Sequence, residues 1–340
     1  MRNQWKAVRG TRPGNLSDAS EPPLRAELFS GDQMEQHGEF LAGVHRDAHA
    51  RGPDRLLPRL ADNEQVLIRT SRSLTEAIEA GRRMAPAGEW LLDNFYLVQE
   101  QIRLARLHLP KRYSWELPRL TTGASAGYPR VYDIALESIS HGDGRIDADG
   151  IARFVAAYQR STTLTLGELW AVPIMLRLAL IENLRRVAAR LAADQADRNL
   201  ANAWAARIAD AVEKDAKNLI LIVADMARSK PPMRGAFVAE FARHLQGRPH
   251  AQALPLTWID QSLAESGLTI AQLVQAENQQ QAADQLSVGN SIGSLRLLGK
   301  LDWREFVESM SATERILRRD PAGIYAEMDF ATRDRYRHAV

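Results

Sequence analysis

The sequence predicts an all-α protein, a large multi-helix bundle around one buried, proline-containing central helix, with no convincing sheet. Three observations carry this. Residues 163–186 read TLTLGELWAVPIMLRLALIENLRR, and between 169 and 181 the only charge is Arg177. Apolar side chains there fall on every side of a 3.6-residue wheel, which marks a helix wrapped by other helices or by lipid. Lipid is excluded because a span needs about 20 apolar residues. Elsewhere apolar residues recur at helical spacing, as in Leu60, Leu67, Leu74 and Ile78, or Leu91, Phe95, Val98, Ile102 and Ala105. No pair of strands is convincing, and no period of about 20–50 residues marks a solenoid.

The elements follow in order. Residues 1–23 are polar, carry Pro13, Gly14, Pro22 and Pro23, and read as a disordered arm. Ser30 with Gln33 forms a capping box that opens a helix to about residue 50. Pro58 suits the first turn of a second helix, closed by Gly81, and Pro86 opens a third. Residues 110–129, rich in Pro, Gly, Ser and Thr, form a loop. A helix is expected over 130–140, then a turn, then a helix capped by Asp147 or Asp149 and running through Gln159. The central helix is expected over 166–190. Pro173 should kink or start it, since proline removes a backbone donor and crowds the carbonyl of Leu169. Buried Arg177 needs a partner, with Glu168, Glu182 or a distant acid as candidates. One or two long helices should cover 194–228. After the SKPP break at 229–232 shorter ones follow over 233–246, 255–265 and 269–286. SVGNSIGSLRLLGKL is ambiguous between helix and turn. Asp302 with Glu305 caps a helix through about Arg318, and Asp329 starts a last one. The expected organisation is an arm at 1–23, a helical subdomain at 24–228, and a second at 229–340, truncated at its C-terminus.

Composition narrows the function classes. The chain has 340 residues, 45% hydrophobic and 25% charged, with net charge +2. That balance gives no strong field for nucleic acid or anionic lipid. The absence of cysteine excludes disulfides and thiolate metal sites. The N-terminus is basic but lacks the apolar core of a secretory signal. The chain as given is expected to be cytoplasmic.

Short motifs yield no site. Gly123-Ala-Ser125-Ala-Gly127 matches the nucleophile elbow G-x-S-x-G, but the preceding ELPRLTT lacks the alternation of a buried strand. His45 and His49 lie four apart, with His37 two turns earlier, yet residue 46 is arginine and the zincin pattern fails. They read as a surface pair. Asp143, Asp147 and Asp149 resemble a calcium loop, but Arg145, Ala148 and Phe154 occupy positions 3, 6 and 12. Gly289 and Gly293 form G-x-x-x-G, read as close helix packing or a turn. Arg185-Arg186 and Arg318-Arg319 read as solvated helix faces, and Gln279, Gln280, Gln281 and Gln285 as a polar helix. Glu89, Asp93 and Glu168 are candidates for paired glycosidase carboxylates if a cleft brings two face to face.

Longer stretches say more. GELWAVPIMLRLALIENLRR, LLPRLADNEQVL, EWLLDNFYLVQEQIR, AGYPRVYDIALE and LDWREFVESMSATERILRRDPAGIYAEMDFATRDRYRHAV, over about residues 24–340, resemble the N-terminal helical region of bacterial cyclic β-1,2-glucan synthases. These are very large inner-membrane proteins that build a β-1,2-glucan from UDP-glucose and close it into a ring. The resemblance implies a non-catalytic helical module that supports transferase and membrane regions absent from this chain. UDP-glucose and a divalent metal would belong to the missing transferase region, and this chain would hold no cofactor. Its partners would be those regions, normally in the same polypeptide, with no nucleic acid and no membrane span of its own. It would lie on the cytoplasmic face of the inner membrane. Glu168, Trp170, Arg177, Glu182, Arg186, Asp302, Trp303 and Asp320 fall in matching stretches and take structural roles; no catalytic, cofactor-binding or metal residue is carried over. The reading frame is expected to continue past Val340 into an apolar run and an α/β region. Two alternatives stand: a free-standing helical interaction module, and a helical glycan-acting enzyme with paired carboxylates.

Overall fold

The computed structural model describes residues 21–48, 52–110, 113–214, 218–246 and 249–339. It is built of helices: α1 (Gly31–Val44), α2 (Leu56–Glu79), α3 (Pro86–Asp93), α4 (Phe95–His108), α5 (Arg130–His141), α6 (Ala148–Gln159) and α7 (Leu166–Lys214). After these come α8 (Asn218–Ser229), α9 (Gly235–Leu245), α10 (Pro249–Ala264), α11 (Ile270–Leu298), α12 (Trp303–Met310), α13 (Ala312–Leu317), α14 (Ile324–Glu327) and α15 (Phe330–Ala339). The two-residue strands β1 (Asp47–Ala48) and β2 (Arg119–Leu120) pair antiparallel inside the long loop and form the sheet of the described residues. The protein is predominantly all-α, as expected. Of the arm expected at 1–23, residues 1–20 lie outside the described residues.

Contacts divide the chain into two compact units, discontinuous in sequence. One comprises 1–66, 96–186 and 290–340, the other 67–95 and 187–289. Each gathers residues from both sides of the boundary expected at 228/229. The reason is helix length: α2, α7 and α11 contribute residues to both units.

In the first unit, α7 is the buried element. From 169 to 185 every residue is buried except Trp170 and Pro173. The helix begins at Leu166 and runs on through Pro173 rather than starting there. Arg177 is buried, and its Nε donates to the Gln101 amide oxygen on α4 at 2.8 Å. The expected carboxylate partner is absent among the described residues, because Glu168 and Glu182 are taken by other arginines. Burial accordingly pushes the Arg177 pKa down. Helix α1 carries the expected capping box at Ser30 and Gln33 and lies on α6. Close approach there depends on Gly38, where a Cβ would sit 2.9 Å from the Phe154 carbonyl oxygen. Asp147 caps α6 through the Gly150 amide at 2.6 Å, and Asp302 caps α12 through the amides of Arg304 and Glu305. Ser311 ends α12 and caps α13, so the helix expected through Arg318 is two.

The second unit has its own core of Trp204, Ile208, Leu219, Val223, Met226, Phe237, Phe241, Ile259 and Leu263. The third expected helix is broken at Asn94, whose amide nitrogen donates to the Trp90 carbonyl at 2.9 Å, leaving α3 and α4. Ile78, read as part of the buried side of α2, is 51% exposed. The ambiguous stretch, residues 287–301, is helix as far as Leu298, where α11 ends, and turns after it. Gly289 and Gly293 lie inside it, and an added Cβ would meet nothing closer than 3.9 Å at the first and nothing within 4 Å at the second. They mark neither a turn nor a close crossing.

Two substitutions probe the centre of the first unit. Leu180 is fully buried, so Leu180→Asp places a bare charge in the core and is expected to unfold the chain; an unchanged circular-dichroism melt would displace α7 from the centre. Arg177→Met loses one hydrogen bond and sheds a buried charge, and urea unfolding is expected to register a cost of about 1 kcal/mol or less. A loss of roughly 3–5 kcal/mol would instead reveal a carboxylate left unpaired.

Candidate functional site

A catalytic site would need acids or nucleophiles free to act, so the fate of each charged group decides what the chain can do. Glu182 on α7 is 1% exposed. Arg59, one turn into α2, reaches it with Nε at 2.8 Å and Nη2 at 2.5 Å, and Asn63, one turn further, donates at 2.8 Å. Arg185 and Arg186, at helical spacing from Glu182, each approach to 2.7 Å. Glu21 adds a second carboxylate, paired with Arg59 and Arg185, and the Pro22 carbonyl accepts from Arg186 at 3.2 Å. Burial alone pushes the Glu182 carboxyl up, but the three arginines more than reverse it and hold it at about 2. Arg185-Arg186 is therefore an interior clamp rather than the solvated face expected, and Glu21 and Pro22, placed in the arm by sequence, are bound to it.

The same pattern recurs in this unit. Glu168, fully buried, accepts from Arg130 Nε at 2.6 Å and Nη2 at 2.8 Å. It also accepts from the Thr165 amide and hydroxyl at 2.8 and 3.0 Å, which closes the start of α7. Glu314, buried, accepts from Tyr325 Oη at 2.6 Å and from Arg337 at 2.7 Å, and Arg337 also meets Glu308 at 2.9 Å. Helix α15 is anchored through Arg337 and through Phe330, edge-on to Trp170 at 6.2 Å. Trp303 Nε1 donates to the Leu298 carbonyl at 2.9 Å, and Asp320 accepts from the amides of Ala322 and Tyr325.

The carboxylates proposed as a glycosidase pair do not form one. Glu168 is consumed by Arg130, while Glu89 and Asp93 stand exposed on α3. In the second unit a cavity of about 180 Å³ is lined by Arg83, Arg198, Glu240, Arg243, Glu277 and Gln281, among others. Its acids are also held: Glu277 by Arg198 at 2.9 Å, Glu240 by Arg243 at 2.5 Å. Burial raises Glu240, and Arg243 and His244 more than offset that, so it lies below the ordinary value. Asp194 on α7 differs: burial, with Glu277 adding to it, lifts its carboxyl to about 6.

Ser125 lies in a loop held by Gly123 and Gly127, both at positive φ, after a strand of only two residues. This is the small-residue loop into Tyr128-Pro129 and lacks the strand–turn–helix setting of a nucleophile. Asp143 pairs with Arg25 at 3.2 Å, and Asp147 is the cap of α6. His49 is outside the described residues. His45 turns inward, its Nδ1 2.9 Å from Tyr158 Oη and its Nε2 3.0 Å from Asp133, which corrects the surface reading. His37 meets Glu137 at 2.8 Å, and His141 lies 3.5 Å from the same oxygen. Sequence reading missed this last group. Its one signal is the Glu137/His141 pair at i, i+4 on α5, and His37 lies a hundred residues away.

No family model matches the chain. Over 318 residues, 93% of its length, the chain is 29% identical to cyclic beta-(1,2)-glucan synthase NdvB of Rhizobium meliloti (strain 1021). The chain resembles one region of a glucan synthase. It spans 11% of the length of that protein. Among the described residues no helix is long and apolar enough to cross a membrane.

The linkage of Glu182 to stability can be measured. Its carboxyl lies at about 2 in the folded chain against an ordinary 4.5. Its contribution is therefore complete above about pH 4.5 and lost as pH falls toward 2. Glu182→Gln is expected to cost roughly 3–5 kcal/mol at neutral pH. The difference between wild type and variant, from urea unfolding across that window, should shrink as pH falls. A difference that stays flat would show that the carboxylate is not ionised in the fold. Asp194 titrates in both proteins and cancels in the comparison.

Proposed function

We propose that this chain is a non-catalytic helical module of a cyclic β-1,2-glucan synthase, the N-terminal region that supports a transferase and membrane segments encoded elsewhere in the protein. The observation that carries the reading is the similarity to NdvB, which runs through 93% of this chain yet touches 11% of that protein. A region related along its whole length, and small beside the protein that contains it, suits a module. The side chains agree with this. The best-buried acids, Glu168, Glu182, Asp284 and Glu314, are each held by arginine, and an acid so held is a poor general acid or base. Such arginine–carboxylate ties fix helices in place. The exposed apolar pair Ile220 and Leu221 on α8 suits a module that docks on another part of the same protein.

Non-catalysis is tested directly. The purified chain, incubated with UDP-[14C]glucose and Mg²⁺ or Mn²⁺, is expected to yield neither labelled protein nor labelled soluble glucan. Reproducible labelling that disappears on chelation would overturn the reading.

A further inference from the structure

Three potential ligands of one divalent cation converge in the first unit. His37 comes from α1, and Glu137 and His141 from successive turns of α5. Their nearest ligand atoms all lie within 4.8 Å of one another. We propose that His37, Glu137 and His141 bind a divalent d-block cation of the Zn²⁺ type, with water completing the coordination shell.

The hydrogen bonding around His141 points there. Its Nδ1 lies 2.7 Å from the Glu27 carbonyl oxygen, which only accepts, so Nδ1 carries the proton. In the neutral ring Nε2 is then a bare lone pair, and it faces the Glu137 carboxylate oxygen 3.5 Å away. In that tautomer two acceptors confront each other, which either a proton on Nε2 or a metal cation relieves. A histidine whose other nitrogen donates to a carbonyl is also the arrangement that orients imidazole toward a metal. Phe29 stacks on the His141 ring at 3.8 Å and 8°, which fixes the ring plane.

Two of the three ligand separations lie close to what the ion needs, and the third closes from within 4.8 Å. Tetrahedral Zn²⁺ with bonds near 2.0–2.1 Å sets its ligand atoms about 3.3 Å apart. The Glu137–His141 separation of 3.5 Å already fits. The His37–Glu137 separation of 2.8 Å is that of a hydrogen bond, and it must open by about half an ångström as Nε2 yields its proton. Glu137, with a side chain 31% exposed, has room to shift and leaves a side of the site open to water. Two imidazoles and one carboxylate suit borderline cations better than Ca²⁺ or Mg²⁺. One feature limits affinity. His37 Nδ1 is buried without a partner, and it must take the proton when Nε2 binds the metal, so micromolar rather than nanomolar binding is expected. Bound there, the ion would join α1, α5 and, through Glu27 and Phe29, the backbone ahead of α1.

The test uses the full chain, treated with chelator and titrated with Zn²⁺ by calorimetry at neutral pH. The expected result is one ion per chain with a micromolar Kd and a rise in Tm at saturation. Glu137→Gln, nearly isosteric, and His141→Ala should each weaken binding about tenfold or more. His244→Ala, which removes an exposed histidine paired with Glu240, should leave it unchanged. Circular dichroism confirms that each variant is folded, and Glu137→Gln carries the test if His141→Ala is not. No saturable heat, or an affinity unaltered by Glu137→Gln, would overturn the proposal.

Discussion

The first unit depends on the neutralisation of one buried carboxylate. Glu182 lies on the most enclosed helix of that unit, where an unpaired charge would cost several kcal/mol. Three arginines and an asparagine close on it. Two arginines come from its own helix at the i, i+3 and i, i+4 spacings, and Arg59 and Asn63 come from successive turns of α2. The geometry requires α2 and α7 to lie side by side in one register, since a shift of one residue along either would swing a donor off the carboxylate. Glu21 offsets the surplus positive charge and thereby fixes the chain ahead of α1 against the same cluster.

Arginine does this work throughout. Its planar fork meets a carboxylate through two parallel hydrogen bonds and stays charged when buried, which a lysine ammonium does not match. Arg130 on Glu168 repeats that fork and fixes α5 on the start of α7, while Arg337 reaches Glu314 and Glu308 through Nη1 and holds α15 on the segment before it. The composition fits: arginines populate these ties, while lysine occurs only at positions 6, 111, 214, 217, 230 and 300. The consequence for function is direct. Acids locked in this way set architecture, and Glu168, the buried one of the candidate glycosidase acids, is among them.

What was legible in the sequence was local or strongly patterned. The apolar run around Leu176 declared a buried helix because no polar face was left for solvent. The caps at Ser30, Asp147 and Asp302 were readable because a cap is decided within four residues. Glu182 and Arg177 were legible as charges needing partners, but Arg59 and Gln101 lie 123 and 76 residues away from them and sequence spacing does not reveal either. Arg177 took an amide where an acid was expected, since the nearby acids were already engaged. The break at Asn94 was invisible because apolar periodicity continues through it. Helix α11 was obscured for the opposite reason: Gly289 and Gly293 lower helix propensity, and tertiary context overrides it. The His37, Glu137 and His141 cluster escaped because α1 and α5 meet only in the folded chain.

The central claim, a helical module that serves a cyclic glucan synthase without doing its chemistry, is tested most directly by exchange. The corresponding region of a full-length synthase is deleted or replaced by this chain, and cyclic glucan formed from UDP-glucose is measured in membranes bearing equal amounts of each protein. The account expects deletion to abolish synthesis, replacement by this chain to restore it, and replacement by the Glu182→Gln form to restore less. Undiminished synthesis after deletion, or no recovery with a stably folded replacement, would contradict it.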